Sequence, residues 1–213
     1  MTPTALTADS SPSPAPAGFV PVANDYHNRL LDGMARSVAH KGYADTTVAD
    51  IVREAGVSKR TFYECFASKN ACMIALYRAA SHGALQVLKD AIDPERDWEA
   101  QVEHGLRAYL GCLASNPLLL RTLFIEILGQ GEEGLAVRRT INQELADFVV
   151  HLVNDGGRHP PRDARLTASM AMAVVGGINE LVLQELENNR AALLTDLVVP
   201  ASALVRSVLL PLR

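Results

Sequence analysis

The sequence predicts an all-α fold of about nine helices, a short N-terminal head followed by a larger helical body. Three observations carry this. Apolar residues recur at spacings of three and four along nearly the whole chain, the period of a helix with one buried face. Turn residues fall between those stripes. No segment shows the strict alternation of a half-buried strand. Residues AVILMFWYC make up 48% of the 213 residues, enough apolar material to bury a core.

Residues 1–21 read as a disordered tail. Pro3, Pro12, Pro14, Pro16 and Pro21 are five of the chain's 11 prolines, and a Pro/Ser-rich segment cannot bury enough area to offset its ordering. The tail has no Lys or Arg, which argues against an arm that grips a phosphate backbone. From Asp25 the pattern turns helical. Leu30, Leu31, Met34, Ala35 and Val38 make the first stripe, and Gly42 ends it. Later stripes are Leu76, Ala80, Ala84, Val87 and Leu88, then Val102, Leu106, Tyr109, Leu110 and Leu113, then Ile141, Leu145, Phe148, Val149 and Leu152. A last series runs through Leu181, Leu186, Leu193, Leu197, Leu204 and Leu209. The breakers between them are Asp93-Pro94, Asn116-Pro117, the Gly129 to Gly134 stretch, Gly156-Gly157 and Pro160-Pro161. The expected division is a tail at 1–21, a head at 22–69 and a body at 70–213.

Composition excludes several classes. The 20 Lys+Arg against 24 Asp+Glu give a net charge of -4, so the chain is not uniformly basic. Charge is nevertheless uneven: residues 22–80 carry 8 basic and 6 acidic side chains, and residues 81–213 carry 12 and 17. A mildly basic head on an acidic body permits a head that meets an anion. No apolar run approaches the ~18 residues of a membrane span. Cys65, Cys72 and Cys112 are an odd count without a C-x-x-C pair, which points to a reducing compartment rather than a disulfide framework. The N-terminus lacks the basic start and apolar stretch of a signal peptide, so the cytoplasm is expected.

The informative stretch runs from Thr46 to Phe66. Thr47 is placed to cap a helix, with Asp50 three residues on as its capping-box partner. Val48, Ile51, Val52 and Ala55 share one apolar face, and Gly56 permits the left-handed turn that ends it. Ser58 then caps a second short helix whose Phe62 and Phe66 face inward. Helix, tight Gly turn and helix form the layout of a DNA-binding helix-turn-helix. The outward set on the second helix is Lys59, Arg60, Thr61 and Tyr63, donors suited to phosphates and base edges. Arg60 can fork onto the O6 and N7 of a guanine. Thr47 and Ser58 stand at helix N-termini, where backbone N–H groups favour a phosphate.

The stretch from Leu30 to Lys69 resembles the DNA-binding head of the TetR family of transcriptional regulators. The residues that carry the resemblance are Lys41-Gly42-Tyr43, Thr46-Thr47-Val48, Ile51, Ala55-Gly56-Val57-Ser58, Thr61-Phe62-Tyr63, Phe66 and Ser68-Lys69. It implies a homodimeric all-α regulator, usually a repressor released from DNA by a small ligand. It further implies that Thr47, Tyr63 and Lys69 hold phosphates while Lys59, Arg60 and Thr61 enter the major groove. Arg60 replaces a frequent Gly and adds a reading side chain. Cys65 replaces a frequent His, and reads best as a small buried hydrophobe.

The body is large enough to enclose a ligand cavity between helices. Candidate lining residues are Trp98, Tyr109, Phe124, His151, Met172 and Asn179, a mostly apolar set that suggests a hydrophobic or amphipathic ligand. Asn179 and Glu180 follow an apolar run, where a buried polar group needs a partner. Helices expected at about 162–188 and 191–211 are apolar on more than one face. Small residues (Ala168, Ala171, Ala173, Gly176, Gly177) and apolar area (Val198, Val199, Ala203, Val205, Leu209) suit a dimer interface. Such a dimer would space two recognition helices for a near-palindromic operator. No H-E-x-x-H, P-loop or G-x-S-x-G motif is present, and His27, His40, His82, His104, His151 and His159 lack metal-ligand spacing. Neither an enzyme nor a cofactor is expected. The competing reading is a helical small-molecule carrier without specific DNA binding.

Overall fold

The computed structural model describes residues 22–155 and 165–208. The expected tail at 1–21, the breakers Gly156-Gly157 and Pro160-Pro161, and Leu209 lie outside them. Among the described residues the chain forms nine α-helices and no strand. The head holds α1 (Val22–Asp45), α2 (Val48–Ala55) and α3 (Lys59–Cys65). The body holds α4 (Lys69–Asp90), α5 (Trp98–Ala114), α6 (Pro117–Phe124), α7 (Gly131–Asp155), α8 (Ala168–Glu187) and α9 (Val198–Ser207). Among the described residues no helix is long and apolar enough to cross a membrane.

Local chemistry sets most boundaries. Gly42 interrupts α1 with φ 77 and ψ 166, a conformation that other residues rarely adopt, and the chain recovers one more turn before Asp45. Asp97, Asn116 and Thr167 cap α5, α6 and α8 through their side chains, and Pro117 occupies the first turn of α6. Two details differ from the sequence reading. Residues 191–197 form a 3₁₀ stretch rather than the start of a long final helix. Val87 and Leu193 point outward, and Leu85 takes the core position on α4. Both slips arise because a helical stripe read from sequence can be rotated by one residue when neighbours on either side are apolar.

Two hydrophobic cores are built. The head core gathers Leu30 and Met34 of α1, Ile51 of α2, Phe62 of α3, and Cys72, Met73 and Leu76 of α4. The body core gathers the inward faces of α5, α7, α8 and α9 together with Tyr77, Ala84 and Leu85 of α4. Helix α4 therefore serves both, and the packing of the head continues through Leu76. A second bridge is Leu119 on α6, which packs against both cores.

Helix α1 packs closely on α2 at Gly33. A Cβ added at Gly33 would lie 2.6 Å from the Ile51 carbonyl oxygen and 3.1 Å from Ala55 Cβ. Gly33→Ala is therefore expected to lower unfolding free energy by about 1–3 kcal/mol in denaturant titration. Gly83 of α4 faces open space. Gly83→Ala is expected to be neutral or to stabilise by up to ~1 kcal/mol. Equal effects at the two sites would contradict the close packing.

Candidate functional site

The junction between α1 and α2 is built around one carboxylate. Asp50 is buried to 8% exposure. Its Oδ2 accepts from the Thr47 backbone N–H at 2.9 Å, the Thr47 hydroxyl at 2.6 Å and the Lys41 ammonium at 2.5 Å. Its Oδ1 accepts from Arg53 at 3.0 Å. The Asp50 N–H in turn donates to Thr47 Oγ1 at 3.2 Å, which completes the capping box. The Lys41 hydrogen bond, then those from Thr47, hold the carboxyl well below the usual carboxylate range against the opposing effect of burial.

The other end of α2 is closed by Arg29. Its guanidinium donates to the Ala55 carbonyl at 3.0 and 2.8 Å and to the Gly56 carbonyl at 2.8 Å. Gly56 itself has φ 62 and ψ 40, the left-handed conformation expected of it. Arg36 adds a bond to the Glu54 carbonyl at 2.8 Å. These arginines were not singled out in the sequence. The available signal was their spacing: Arg29, Gly33 and Arg36 lie at i, i+4 and i+7, one face of α1 turned to α2.

The outward residues of α3 separate into distinct groups. Ser58 caps the helix by accepting from Thr61 N–H at 3.0 Å, and the two hydroxyls lie 2.9 Å apart. Lys59 is exposed and makes no ion pair among the described residues. Arg60 is exposed and pairs along the helix with Glu64 at 2.9 Å. Such an exposed pair is worth at most ~1 kcal/mol, so the guanidinium can exchange it for another acceptor. Tyr63 is 60% exposed, with its ring edge-on to Phe62. Cys65 is half-buried against the head core, and burial pushes the neighbouring Cys72 thiol up to about 12.

Lys69, to which the resemblance gives a phosphate-holding role, is held by internal acceptors. Its ammonium donates to the Tyr43 carbonyl at 2.9 Å and the Thr46 carbonyl at 2.8 Å, and lies 4.1 Å from the Tyr43 ring centroid. It ties the end of α1 to the start of α4. The Thr47 hydroxyl is likewise engaged by Asp50.

Among the described residues, two adjoining cavities of about 80 Å³ each lie within the body. One is mixed, about half polar, with Tyr77 and Ser81 of α4, Phe124 of α6, Arg138 and Asn142 of α7, and Glu180 of α8 in its wall beside apolar residues such as Leu123 and Ile141. The other is almost wholly apolar, with Trp98 and Leu106 of α5, Phe148 of α7 and Ile178 of α8. Tyr109, Leu145 and Asn179 line both. Of the sequence candidates, Trp98, Tyr109, Phe124 and Asn179 thus meet at these cavities. Met172 and His151 line neither. Met172 packs half-buried against the body core. His151 lies in a shallow surface groove between α4 and α7. Helical spacing placed both on α7 or α8, but not on the face turned inward to the cavities.

Residues 30–76 match the family model for bacterial regulatory proteins, tetR family. No curated protein sequence matches the chain. Among solved structures, the fatty acid degradation regulator FadR from Bacillus halodurans is similar at 19% identity, with 84% of this chain and 93% of that one covered and a TM-score of 0.70. The regulator FadR from Bacillus subtilis in complex with stearoyl-CoA is similar at 17% identity, 85% and 98% coverage, and a TM-score of 0.64. The multidrug binding protein EbrR complexed with imidazole follows at 21% identity, 88% and 96% coverage, and 0.63. At these identities the likeness is one of fold.

Because the folded pKa of Asp50 lies below the unfolded value of about 4, its carboxylate stabilises the head above that pH and loses this effect as pH falls towards the folded value. Asp50→Asn is expected to lower the melting temperature most at neutral pH, with the gap to the parent narrowing below pH ~4. A gap unchanged from neutral to acid pH would show that the carboxylate charge does not hold the start of α2.

Proposed function

We propose that this chain, whose head belongs to the tetR family of bacterial regulatory proteins and whose body is folded like regulators of that family, represses transcription by binding a near-palindromic operator as a homodimer. A small amphipathic ligand in the body releases it. The observation that carries the reading is the sorting of cations in the head. Lys41, Arg29 and Lys69 are tied to internal acceptors. Lys59 and Arg60 stand outward on the helix that follows the Gly turn. That helix is the one that a helix-turn-helix places in the major groove. Thr61 and Tyr63 flank them as further donors, and Ser58 and Thr47 complete the DNA-facing edge.

Dimerisation fits the last two helices. Met170, Val199, Ala173 and Ala203 are exposed on α8 and α9, whereas Ala171, Val198 and Val205 are buried within the protomer core. The outward set is the one free to meet a second copy. Pairing there would set two α3 helices at one helical turn of DNA, ~34 Å apart.

Coupling would run through the two bridges. Tyr77 and Ser81 of α4 and Phe124 of α6 border the mixed cavity. The same two helices pack on the head through Leu76 and Leu119. A ligand that favours one setting of α4 and α6 over another shifts the spacing of the heads. The stearoyl-CoA bound to the Bacillus subtilis neighbour supports a ligand with a long apolar part.

The test is fluorescence anisotropy of the full chain on DNA flanking its own gene, with scrambled DNA of equal length beside it, followed by selection from genomic fragments. Specific binding ~10³-fold tighter than to scrambled DNA is expected. Arg60→Ala is expected to weaken specific binding by ~1–3 kcal/mol and to relax preference at one base pair. Equal, weak binding to every fragment selected would favour the carrier.

A further inference from the structure

The two cavities differ in chemistry but share a wall. Arg138 is half-buried in the mixed chamber, and among the described residues it has no ion-pair partner. Glu180 borders the same chamber but is exposed to solvent, which screens its charge. The chamber wall therefore carries a half-buried guanidinium that forms no ion pair among the described residues, with the exposed Glu180 as the nearby carboxylate. Around it stand further groups with capacity to spare. Asn179 donates to Asn142 at 3.2 Å, which leaves the Asn142 amide N–H₂ and the Asn179 carbonyl oxygen for other partners. None of the hydrogen bonds among the described residues engages the Tyr109 hydroxyl, and burial holds that phenol protonated, so it is a donor. Beyond Tyr109 and Leu145 the second chamber offers only apolar contacts apart from Gln101 and Asn179.

We propose that the two chambers form one site for an amphipathic carboxylate, with its acid group on Arg138 and Asn142 and its unbranched apolar chain passing Tyr109 into the chamber lined by Trp98, Phe148 and Ile178. This rests on the reading of the body as the effector site, and it fixes the class and orientation of the effector. A guanidinium facing a carboxylate forms charge-assisted hydrogen bonds about twice as strong as neutral ones. An uncharged ligand of equal length would leave Arg138 unpaired. A cationic ligand would meet Arg138 as a like charge. To join the chambers, the chain must displace Tyr109 or Leu145 and load the Asn142–Asn179 bond between α7 and α8. Occupancy thereby acts on α5, α7 and α8, which line both chambers, while α4 and α6 border the first one.

The chain carries its own reporter, since Trp98 is its single tryptophan and lines the apolar chamber. The experiment titrates the full chain with decanoate, decanol and decylamine at neutral pH and follows Trp98 emission. Decanoate is expected to shift the emission and to bind at least ~10-fold tighter than either analogue. Arg138→Gln is expected to weaken decanoate ~10-fold or more while leaving decanol within about threefold. Its circular dichroism and melting curve are compared with the parent, and Arg138→Lys, which keeps the charge, is expected to recover part of the affinity. Decylamine binding best, decanoate unaffected by Arg138→Gln, or an unchanged Trp98 signal at saturation would each overturn the proposal. Release of operator DNA is read separately by anisotropy. Decanoate bound with the Arg138 dependence supports the proposal whether or not DNA is released, and an operator complex that resists saturating decanoate then counts against the effector reading alone.

Discussion

The head depends on the cluster of donors around the Asp50 carboxylate. One buried anion receives the Thr47 backbone, the Thr47 hydroxyl, Lys41 and Arg53. A carboxylate removed from water needs this many donors to remain charged, and the donors come from three places in the chain: the end of α1, the cap of α2 and the second turn of α2. The cluster thus fixes where α2 begins relative to α1. Arg29 fixes where α2 ends, and Gly56 turns the chain immediately after it. With both ends of α2 held, α3 has one direction to leave in. Lys59 and Arg60 inherit their outward position from contacts that they do not make.

The same economy of elements joins head and body. Helix α4 supplies Met73 and Leu76 to one core and Tyr77 and Leu85 to the other. A continuous helix transmits a tilt along its length, because its backbone hydrogen bonds resist bending at any point without a breaker. Helix α6 is short and ends in a 3₁₀ stretch, Glu126–Gln130, where Gly134 packs so close to the Ile127 carbonyl that a side chain there would clash. It is a rigid corner rather than a loose loop. A ligand bound in the cavity bordered by α4 and α6 would therefore press on the two elements that the head rests on.

Much of this was legible in the sequence. Thr47, Asp50, Gly56 and Ser58 announce the helix-turn-helix because capping and left-handed turns are local, and local rules survive folding. The all-α class followed from a periodicity that no strand pattern contested. Trp98, Tyr109, Phe124 and Asn179 meet at the cavities because large side chains on inward faces converge in a bundle. Lys69 and Arg29 show the limit. Whether a cation meets DNA or a carbonyl 23 to 27 residues away in sequence is decided by tertiary approach, and a Lys at the start of a helix reads the same in both cases. Arg138 was missed for a related reason: an Arg-Arg pair (Arg138-Arg139) on a polar-rich helix reads as surface. Only the packing of α7 against α4 and α8 turns it towards a chamber.

The cations of the head divide into those held by internal acceptors and those left outward on α3, which we propose meet DNA. The direct measurement is the salt dependence of operator affinity for Lys59→Ala and Lys69→Ala beside the parent chain, at a temperature where all three are folded. Each phosphate contact removed lowers the slope of log K against log salt by about one. Lys59→Ala is predicted to lower the slope or the base preference with an unchanged melting temperature. Lys69→Ala is predicted to lower the melting temperature and leave the slope as it was. A Lys69→Ala variant that melts like the parent and loses slope would contradict the division and return Lys69 to the DNA backbone.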